Sequence, residues 1–426
     1  MKTNKILSCI LLCMGVLYAQ GQTVYTLDQC KKIALENNIR IRNARNNVQG
    51  AEQTKKEAFT NYFPSVKANG MWFDANQGLI GMALAPEMQL SLLKDGVIAG
   101  ITAVQPVFAG GQIINGNRLA NIGVEVSRLQ LEQSEREVCL TTEQYFWQIV
   151  TLQEKLKTLT SINAMLERLQ KDVTVAVEAG ITNRNDLLQV GLRKNEVTST
   201  VMNLKNSLSL CKSVLAQYIG VTDSIMITCD IDINQIPPFH SDLFREPASS
   251  LLLTPEHHLL EKNLEANRLQ YKLAVGKNLP SVGIGIGYLY HDLMGNSRSS
   301  GMVFASVSIP ISGWWGGSHS IKRQQIQVRN AKNELRDKSE LLVIRMQQTW
   351  NDLQNAYDQL GIAGNSIEQA QENLRLNNDY YKAGTSSMSD LLNAQSLYQQ
   401  SRDKYVEAYC IYQIKQLEYL QATGRN

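Results

Sequence analysis

Two aspartates occupy the same place in two copies of one short motif. Ala179-Gly180 precedes Asp186-Leu187-Leu188, and Ala383-Gly384 precedes Asp390-Leu391-Leu392, with the same spacing in both copies. An aspartate a few residues after a helix-ending glycine is a suitable N-cap for the next helix, because its carboxylate accepts hydrogen bonds from free backbone amides. The motif therefore predicts two helix-to-helix turns, at Gly180 and Gly384, each with one carboxylate.

Other residues that could perform catalysis or bind metal ions are too scattered to form a site. The histidines are His240, His257, His258, His291 and His319. They show no H-E-x-x-H or triad-like spacing, and neighbouring residues on a helix point in different directions. The glycines at 283, 285 and 287 alternate within a strand and lack the turn and helix of a phosphate-binding loop. The sequence predicts no enzyme activity, no cofactor and no metal site.

The charge balance and the low proline content limit the class of protein. Lys+Arg total 42 against 39 Asp+Glu, a net charge of +3, whereas a protein that binds nucleic acid usually carries a basic excess. Nucleic acid is therefore not an expected partner. Only 9 prolines are present, which favours long uninterrupted helices because proline breaks a helix interior.

The first residues have the pattern of an export signal. The basic start Met1–Lys5, the apolar run Ile6–Tyr18 and the small residues after it predict a signal peptide over residues 1–21. An N-terminal membrane anchor is the alternative, although the run is shorter than the ~20 residues that span a bilayer. No later stretch is apolar for that length, so the exported chain is secreted, periplasmic or inserted as a β-barrel. The cysteines outside the signal show no paired spacing, and whether they pair stays open.

Three sequence landmarks recur in the same order in both halves of the chain. Phe63-Pro64-Ser65-Val66 corresponds to Leu279-Pro280-Ser281-Val282. A proline followed by a glycine pair occurs at Pro106 with Gly110-Gly111 and again at Pro310 with Gly316-Gly317. The motif that ends in Asp-Leu-Leu is the third landmark. Their order predicts a tandem duplication, with a first repeat over 22–219, a linker or equatorial segment over 220–253 and a second repeat over 254–426.

Each repeat is predicted to contain a helix, a β-hairpin and two long helices. The first repeat has a helix over 27–62, a hairpin over 65–108 with strands at 65–74 and 99–108, and helices over 112–178 and 184–219. The second repeat has a helix over 255–277, a hairpin over 281–311 with strands at 281–291 and 302–311, and helices over 317–382 and 388–422. The loops near 75–98 and 292–301 are expected to face the cell exterior.

The long helices keep a seven-residue rhythm. Leu353, Leu360, Ile367, Leu374 and Tyr381 recur every seven residues, with alanines between them. A second series of the same kind is Leu391, Tyr398, Tyr405, Tyr412 and Tyr419. This spacing is typical of coiled coils, and the small residues permit close approach of the helices. A helix of about 65 residues would be roughly 100 Å long, at 1.5 Å per residue.

The predicted strands have one apolar side. Val282, Ile284 and Ile286 alternate with glycines, and Val303, Ala305 and Val307 alternate with small or polar residues. Strands of about ten residues with this pattern are typical of outer-membrane barrels. The strand at 99–108 alternates poorly, so its faces are not assigned. Aromatic residues that could form an interfacial girdle are Trp72, Tyr288, Tyr290, Trp314 and Trp315.

Four strands cannot close a barrel, and open strand edges are not tolerated in lipid. If these strands span the membrane, the protein must therefore oligomerise. Two, three or four copies would supply eight, twelve or sixteen strands. The alternative is a small soluble sheet packed on helices.

The combination resembles the TolC-like outer membrane efflux family, also called outer membrane factors. The resemblance covers the whole mature chain. It rests on the duplicated Pro-Ser-Val strand entry, the proline and Gly-Gly strand exit, the paired Gly-x5-Asp-Leu-Leu motif, and the opening Thr26–Asn38. It implies a homotrimer in the outer membrane, with a twelve-stranded barrel continuous with a coiled-coil helical tunnel across the periplasm. It also implies a periplasmic membrane-fusion adaptor and an inner-membrane pump as partners.

The resemblance further implies that the two turns form a periplasmic constriction. Asp186 and Asp390 match acidic residues that select cations, and rings of such residues attract cations in a narrow pore. Asn393 stands where some members have a second aspartate. Tyr381 matches a tyrosine that takes part in closing contacts, whereas Ser386 stands where an arginine partner is found. Helix capping by the aspartates and seam packing by Tyr381 are the alternatives.

Two functions of different classes follow from the sequence. The first is an exit duct of a tripartite efflux or type I secretion system, a passive channel that moves small molecules or polypeptides outward. The second is a soluble periplasmic coiled-coil adaptor or scaffold. The scaffold would explain the heptads and the export signal, but not two lipid-compatible hairpins at matching positions of the repeats.

Overall fold

The structure is a computed structural model, and it describes residues 24–77, 79–85, 88–92, 94–222, 225–229, 235–293, 295–311 and 313–425. The predicted signal peptide lies outside the described residues. Among the helices described, none is both long enough and apolar enough to cross a bilayer.

A helical segment, antiparallel strands and two long helices follow one another in both halves of the chain. The first half also has a strand pair at Ile80–Ala85 and Met88–Leu92, and its last strand begins at Asp95. The region 75–98, expected to be a loop, is thus largely strand. The first half contains β1 (Val24–Tyr25), α1 (Leu27–Asn37), α2 (Ile39–Thr60), β2 (Ser65–Asp74), β3 (Ile80–Ala85), β4 (Met88–Leu92), β5 (Asp95–Ala109), α3 (Gln112–Glu178) and α4 (Arg184–Ile219). The segment between the halves contains β6 (Met226–Ile227) and the short helix α5 (Pro247–Ser250). The second half contains α6 (Pro255–Gly276), β7 (Ser281–Leu293), β8 (Asn296–Ser308), α7 (Gly313–Lys382) and α8 (Met388–Ala422).

The first helix differs from the prediction because Asn38 divides it in two. Asn38 has ψ of 131°, outside the helical region. Its side-chain oxygen accepts a hydrogen bond from the Arg40 amide at 2.8 Å, and its Nδ2 donates to the Tyr218 carbonyl at 2.7 Å. The asparagine thus satisfies backbone groups at the start of α2 and ties this junction to α4.

The second hairpin is longer than predicted. The region 292–301, expected to be a loop, is strand apart from a short turn at Gly295, where φ is 76°. Pairing continues from Ser281↔Ser308 to Leu293↔Asn296. The polar sequence of this region hides the strand, because backbone pairing does not require alternating side chains.

The chain folds into two units, each built from segments of both sequence halves. Among the described residues, unit 1 contains 24–44, Leu131–Pro255 and 340–425, and unit 2 contains Arg45–Gln130 and Glu256–Ser339. The units therefore do not coincide with the repeats.

Unit 2 contains a four-stranded antiparallel sheet in the order β2-β5-β7-β8. The two hairpins are joined by the β5–β7 pairing, in which Ile101 lies opposite Tyr288 and Ala103 opposite Ile286. Residues directly opposite one another share a face of the sheet. The register therefore assigns the faces of β5, which the sequence pattern left open.

One face of this sheet is apolar on all four strands. Its members are Val66, Ala68, Trp72, Val97, Ala99, Ile101, Ala103, Ile284, Ile286, Tyr288, Tyr290, Val303, Ala305 and Val307. Val303 is 84% exposed and Ile286 61%, so these side chains are not covered by any part of the chain that the structure describes. The opposite face is mixed. It carries polar groups, among them Lys67, Asn69, Thr102, His291, Arg298 and Ser306, and also apolar residues such as Met71, Val104, Leu289 and Met302. We call it the polar face.

Phe304 packs on the polar face over the glycines of β7. A Cβ atom at Gly285 would lie 2.5 Å from the Phe304 ring, far inside van der Waals contact. Gly285 therefore provides the space for this ring on the face opposite the isoleucines of β7.

Unit 1 is mainly helical, and its core is aromatic. Tyr405, Tyr412 and Tyr419 of α8 are each at most 1% exposed. We call them the tyrosine row. They follow one another at seven-residue spacing, which brings them to one side of the helix. Their buried position confirms that the heptad series marks a packed seam.

The tyrosine row fixes the segment between the halves. The Tyr419 hydroxyl accepts a hydrogen bond from the Arg245 amide at 2.9 Å, and the Tyr405 hydroxyl donates to the Gln235 carbonyl at 3.4 Å. The Tyr412 hydroxyl lies against the backbone of His240. The partner residues advance along the segment as the tyrosines advance along α8. Its described part is therefore held against the helix and is not a free linker.

Candidate constriction at the helix turns

Two turns of unit 1 join the long helices in pairs, α3 to α4 and α7 to α8. They are built alike. Gly180 and Gly384 adopt left-handed conformations, with φ of 69° and 73°, which favour glycine because it lacks a Cβ atom. Asn183 and Ser387 follow with extended backbone, and each accepts a hydrogen bond from the amide three residues later, at 3.2 Å in both turns.

Neither aspartate is the N-cap itself, although Asp390 forms a capping box with Ser387, in which its carboxylate accepts from the Ser387 amide. The N-caps are Asn183 and Ser387, whereas Asp186 and Asp390 are the third helical residues after them. The reason is that the N-cap must leave the helical region of backbone conformation, and the asparagine and the serine do so here. The carboxylates still lie in the first helical turn, where the helix dipole favours negative charge.

The Asp390 carboxylate is bound within its own turn. Oδ2 accepts hydrogen bonds from the Ser387 hydroxyl at 2.6 Å, the Ser387 amide at 3.1 Å and the Ser386 hydroxyl at 3.3 Å. The Ser387 hydroxyl and amide hold the pKa of Asp390 below its ordinary value. The residue is exposed, so it is an ionised carboxylate at the surface of the turn.

The Asp186 carboxylate has partners on both turns' helices. Its Oδ2 accepts a hydrogen bond from the Thr182 hydroxyl at 2.5 Å. The Tyr381 side chain, one residue before the end of α7, lies close enough to Asp186 and Thr182 for both to affect its pKa. Burial, and secondarily the Asp186 charge, raise the pKa of Tyr381. The structure thus brings Asp186 and Tyr381 together and links the first turn to the end of α7.

Asn393 is exposed on α8 and forms no part of this contact. The sequence did not single out Thr182 as a contact residue. The repeat nevertheless contains a signal for this contact, because Thr182 and Ser386 both lie two residues after the turn glycine and four residues before the aspartate. In both turns this hydroxyl contacts the aspartate.

A cavity of about 780 Å³ lies between the four helix ends and includes Asp186 and Tyr381 in its wall. Arg193 of α4 crosses toward α8 beside it, with Nη2 donating to Gln399 Oε1 at 3.0 Å and Nε to Gln395 Oε1 at 3.3 Å. These side chains were not predicted from the sequence, since no short motif surrounds them.

The aromatic residues predicted to form a girdle lie at two levels. Trp72, Tyr288 and Tyr290 are exposed on the apolar face of the sheet. Trp314 and Trp315 lie in the first turn of α7, after β8 has ended. They are exposed, and Trp314 Nε1 donates to the Asn278 carbonyl at 2.9 Å. Within the described residues, no group of His, Cys, Asp and Glu side chains is arranged to hold a metal ion.

A four-stranded sheet with one exposed apolar face is typical of an outer-membrane protein. The model of one family, outer membrane efflux protein, matches residues 32–221 and 255–425. The chain belongs to this family. Among curated protein sequences, none matches it.

Solved structures of outer membrane proteins share the fold. VceC of Vibrio cholerae superposes with a TM-score of 0.76 at 12% identity, over 94% of this chain and 96% of that chain. The CmeC channel of Campylobacter jejuni gives 0.76 at 15%, over 93% and 85%. The open MtrE channel of Neisseria gonorrhoeae gives 0.77 at 14%, over 94% and 89%.

Family membership makes the chain an outer membrane efflux channel whose helices lie in the periplasm. It confirms the family and the duct predicted from the sequence. The alternative, a soluble periplasmic scaffold, is not favoured.

Proposed function

We propose that three copies of this chain form the exit duct of a tripartite efflux or type I secretion system. The edges of the sheet support an oligomer, because β2 and β8 each have only one neighbour in the sheet. Unpaired strand edges are not tolerated in hydrocarbon, so β8 of one copy pairs with β2 of the next. Three copies give twelve strands. A periplasmic adaptor and an inner-membrane pump supply cargo and energy.

The two helix turns form the closing constriction of this duct. The observation that carries it is the contact of Tyr381 with Asp186 and Thr182. This contact holds the end of α7 to the α3–α4 turn, so opening that separates the two helix pairs must break it. Asp390, whose carboxylate is bound within its own turn, contributes charge but no such link.

Single-channel conductance in planar bilayers tests these assignments. Tyr381→Phe removes the hydroxyl and keeps the ring, so we expect a larger conductance or more frequent opening. Asp186→Asn should do the same and also weaken cation selectivity. Asp390→Asn is the matched control, which should weaken selectivity without increasing the conductance.

The outcomes separate the parts of the proposal. Equal conductance of Tyr381→Phe and wild type would show that the contact does not hold the channel closed. Equal effects of Asp186→Asn and Asp390→Asn would assign both residues to charge alone. No conductance from a folded trimer would contradict the duct itself.

A further inference from the structure

Unit 2 contains a cavity of about 1190 Å³ in the groove between α2, α3 and α6. We call it the basic groove. Its cationic residues are Lys55, Lys56, Arg118, Arg128, Arg268 and Lys272, and its acidic residues are Glu52, Glu125 and Glu265. The proposed constriction lies in unit 1, so this groove is a separate feature.

The acidic residues of the groove are already paired. Glu52 binds Arg128 at 3.0 Å. Lys262, outside the groove wall, binds Glu125 at 2.6 Å and Glu265 at 3.1 Å. The Glu52–Arg128 pair is neutral, and the Lys262 cluster carries one net negative charge. Each of the three carboxylates therefore already has a cation partner.

The other five cations of the groove lack a counter-ion. They are Lys55, Lys56, Arg118, Arg268 and Lys272, which are all exposed. In the part of the chain that the structure describes, none of the five makes an ion pair with a carboxylate. Clustered cations repel one another, and a bound anion relieves this repulsion. The groove is therefore complementary to a negatively charged ligand.

The groove lies next to the sheet. Lys56 and Lys272 are each four residues, about 6 Å, from the end of a helix that leads into a strand, and Arg118 is about 9 Å from the start of α3. The polar layer of a bilayer extends roughly 5–8 Å beyond the hydrocarbon, and long basic side chains reach further toward it. The cations are thus within reach of lipid headgroups.

Aromatic side chains mark the same level. Phe59 and Tyr62 line the groove, are 55% and 40% exposed, and pack with ring centroids 5.5 Å apart. Exposed aromatic rings beside basic residues are typical of a membrane interface.

We propose that the basic groove binds the headgroup of an anionic phospholipid in the periplasmic leaflet of the outer membrane. The lipid phosphate lies among Lys55, Arg118 and Lys272, one cation from each helix, and an acyl chain lies against Phe59. The bound lipid bridges three helices just below the strands.

The size of the effect follows from the charges. One Lys or Arg near an anionic membrane surface strengthens binding about fivefold. Removal of three cations should weaken binding of the anionic lipid by more than tenfold, even if salt partly screens their charges. Binding in the wild type should also weaken at high salt, since the Debye length shortens from about 10 Å at 0.1 M to about 3 Å at 1 M.

The test uses the full-length protein in nanodiscs of phosphatidylethanolamine with a minor fraction of phosphatidylglycerol. After detergent extraction and purification, native mass spectrometry gives the retained ratio of the two lipids. We expect wild type to retain phosphatidylglycerol selectively. The selectivity for phosphatidylglycerol should be at least tenfold lower in the triple variant Lys55→Gln, Arg118→Gln, Lys272→Gln.

The matched control is Lys322→Gln, Arg323→Gln, Lys332→Gln, which removes three exposed cations of α7 in the same unit that do not line the groove. It should retain phosphatidylglycerol as wild type does. If both triple variants lose it equally, net charge and not the groove attracts the lipid, and the proposal is wrong.

Two further results would overturn the proposal. The first is a failure of the wild-type protein to bind selectively through charge: it retains both lipids in the ratio supplied, or it keeps the anionic lipid unchanged through a 1 M salt wash. Neither measurement depends on the folding of a variant. The second is a groove variant with unchanged lipid retention and altered anion conductance, which would place the cations along the transport path.

Discussion

Removal of one hydroxyl from the tyrosine row should release the segment between the two halves. Tyr419→Phe keeps the ring and its packing on Trp350, whose centroid lies 4.9 Å away. It removes the acceptor of the Arg245 amide hydrogen bond of 2.9 Å. An unsatisfied, partly buried amide costs about 1–2 kcal/mol. Local opening of the segment should become roughly 5- to 30-fold more frequent, since 1.4 kcal/mol is a factor of ten.

Hydrogen–deuterium exchange of peptides covering 235–254 measures this opening directly. The Tyr405→Phe variant should give a smaller increase, because its bond to Gln235 is longer, at 3.4 Å. Tyr398→Phe is the control. Its hydroxyl accepts from Arg402 of the same helix at 3.2 Å and does not contact the segment.

The reasoning would be refuted by unchanged exchange at 235–254 in Tyr419→Phe. It would also be refuted if Tyr398→Phe increased exchange there equally, since a general loosening of α8 would then explain the result. Faster exchange throughout unit 1 would show that the row stabilises the whole unit and not this segment.

Three further predictions concern the sheet, the second turn and the first helix junction. Gly285→Ala should push Phe304 from its position and destabilise the assembled protein by ~1–3 kcal/mol. The temperature at which the assembly dissociates on gels measures this effect. Gly70→Ala, which has open space around the new methyl group, is the control. The pKa of Asp390 is lowered in the fold, so its capping box should be intact above the ordinary pKa of 3.8 and should weaken as the pH falls through the lowered pKa. Cleavage of the turn by pepsin should become faster over that pH range. Ser387→Ala, whose capping box is already broken at higher pH, should show no such increase. Asn38→Ala should lose the hydrogen bonds to Arg40 and Tyr218 and destabilise unit 1 by about 1–3 kcal/mol in thermal unfolding. Asn38→Asp keeps an oxygen that accepts from the Arg40 amide, so it should lose only the stability that the bond to Tyr218 provides.

The sequence predicts the long helices well because their periodicity reflects the packing itself. Leu360 and Tyr412 recur at the spacing that buries them, and the turn glycines mark where the helices end. The sequence does not reveal the interruption at Asn38, since its cause is a bond to Tyr218, 180 positions away. Contacts of this kind depend on the tertiary arrangement and leave no local pattern.

The same distinction applies to the candidate site. The two aspartates are found from the repeat, but their different environments are not. Asp390 and Asp186 have equivalent neighbours in the sequence, yet only Asp186 contacts Tyr381, because that contact depends on where α7 ends beside the first turn. The start of β8 was likewise missed, because residues such as Arg298 and Ser300 lie in a polar part of the strand.

The wide sequence separation of contacts in unit 1 dictates the order in which the protein can fold. Val24 pairs with Met226, and the Arg136 guanidinium donates to the carbonyls of Gln421 and Gly424 at 3.2 and 3.1 Å. The first exported residues therefore wait for the last ones before their unit is complete. Apolar surface that is exposed while the chain is incomplete promotes aggregation. Completion of unit 1 is therefore expected to be a late and slow step of folding, because its contacts join residues far apart in the sequence.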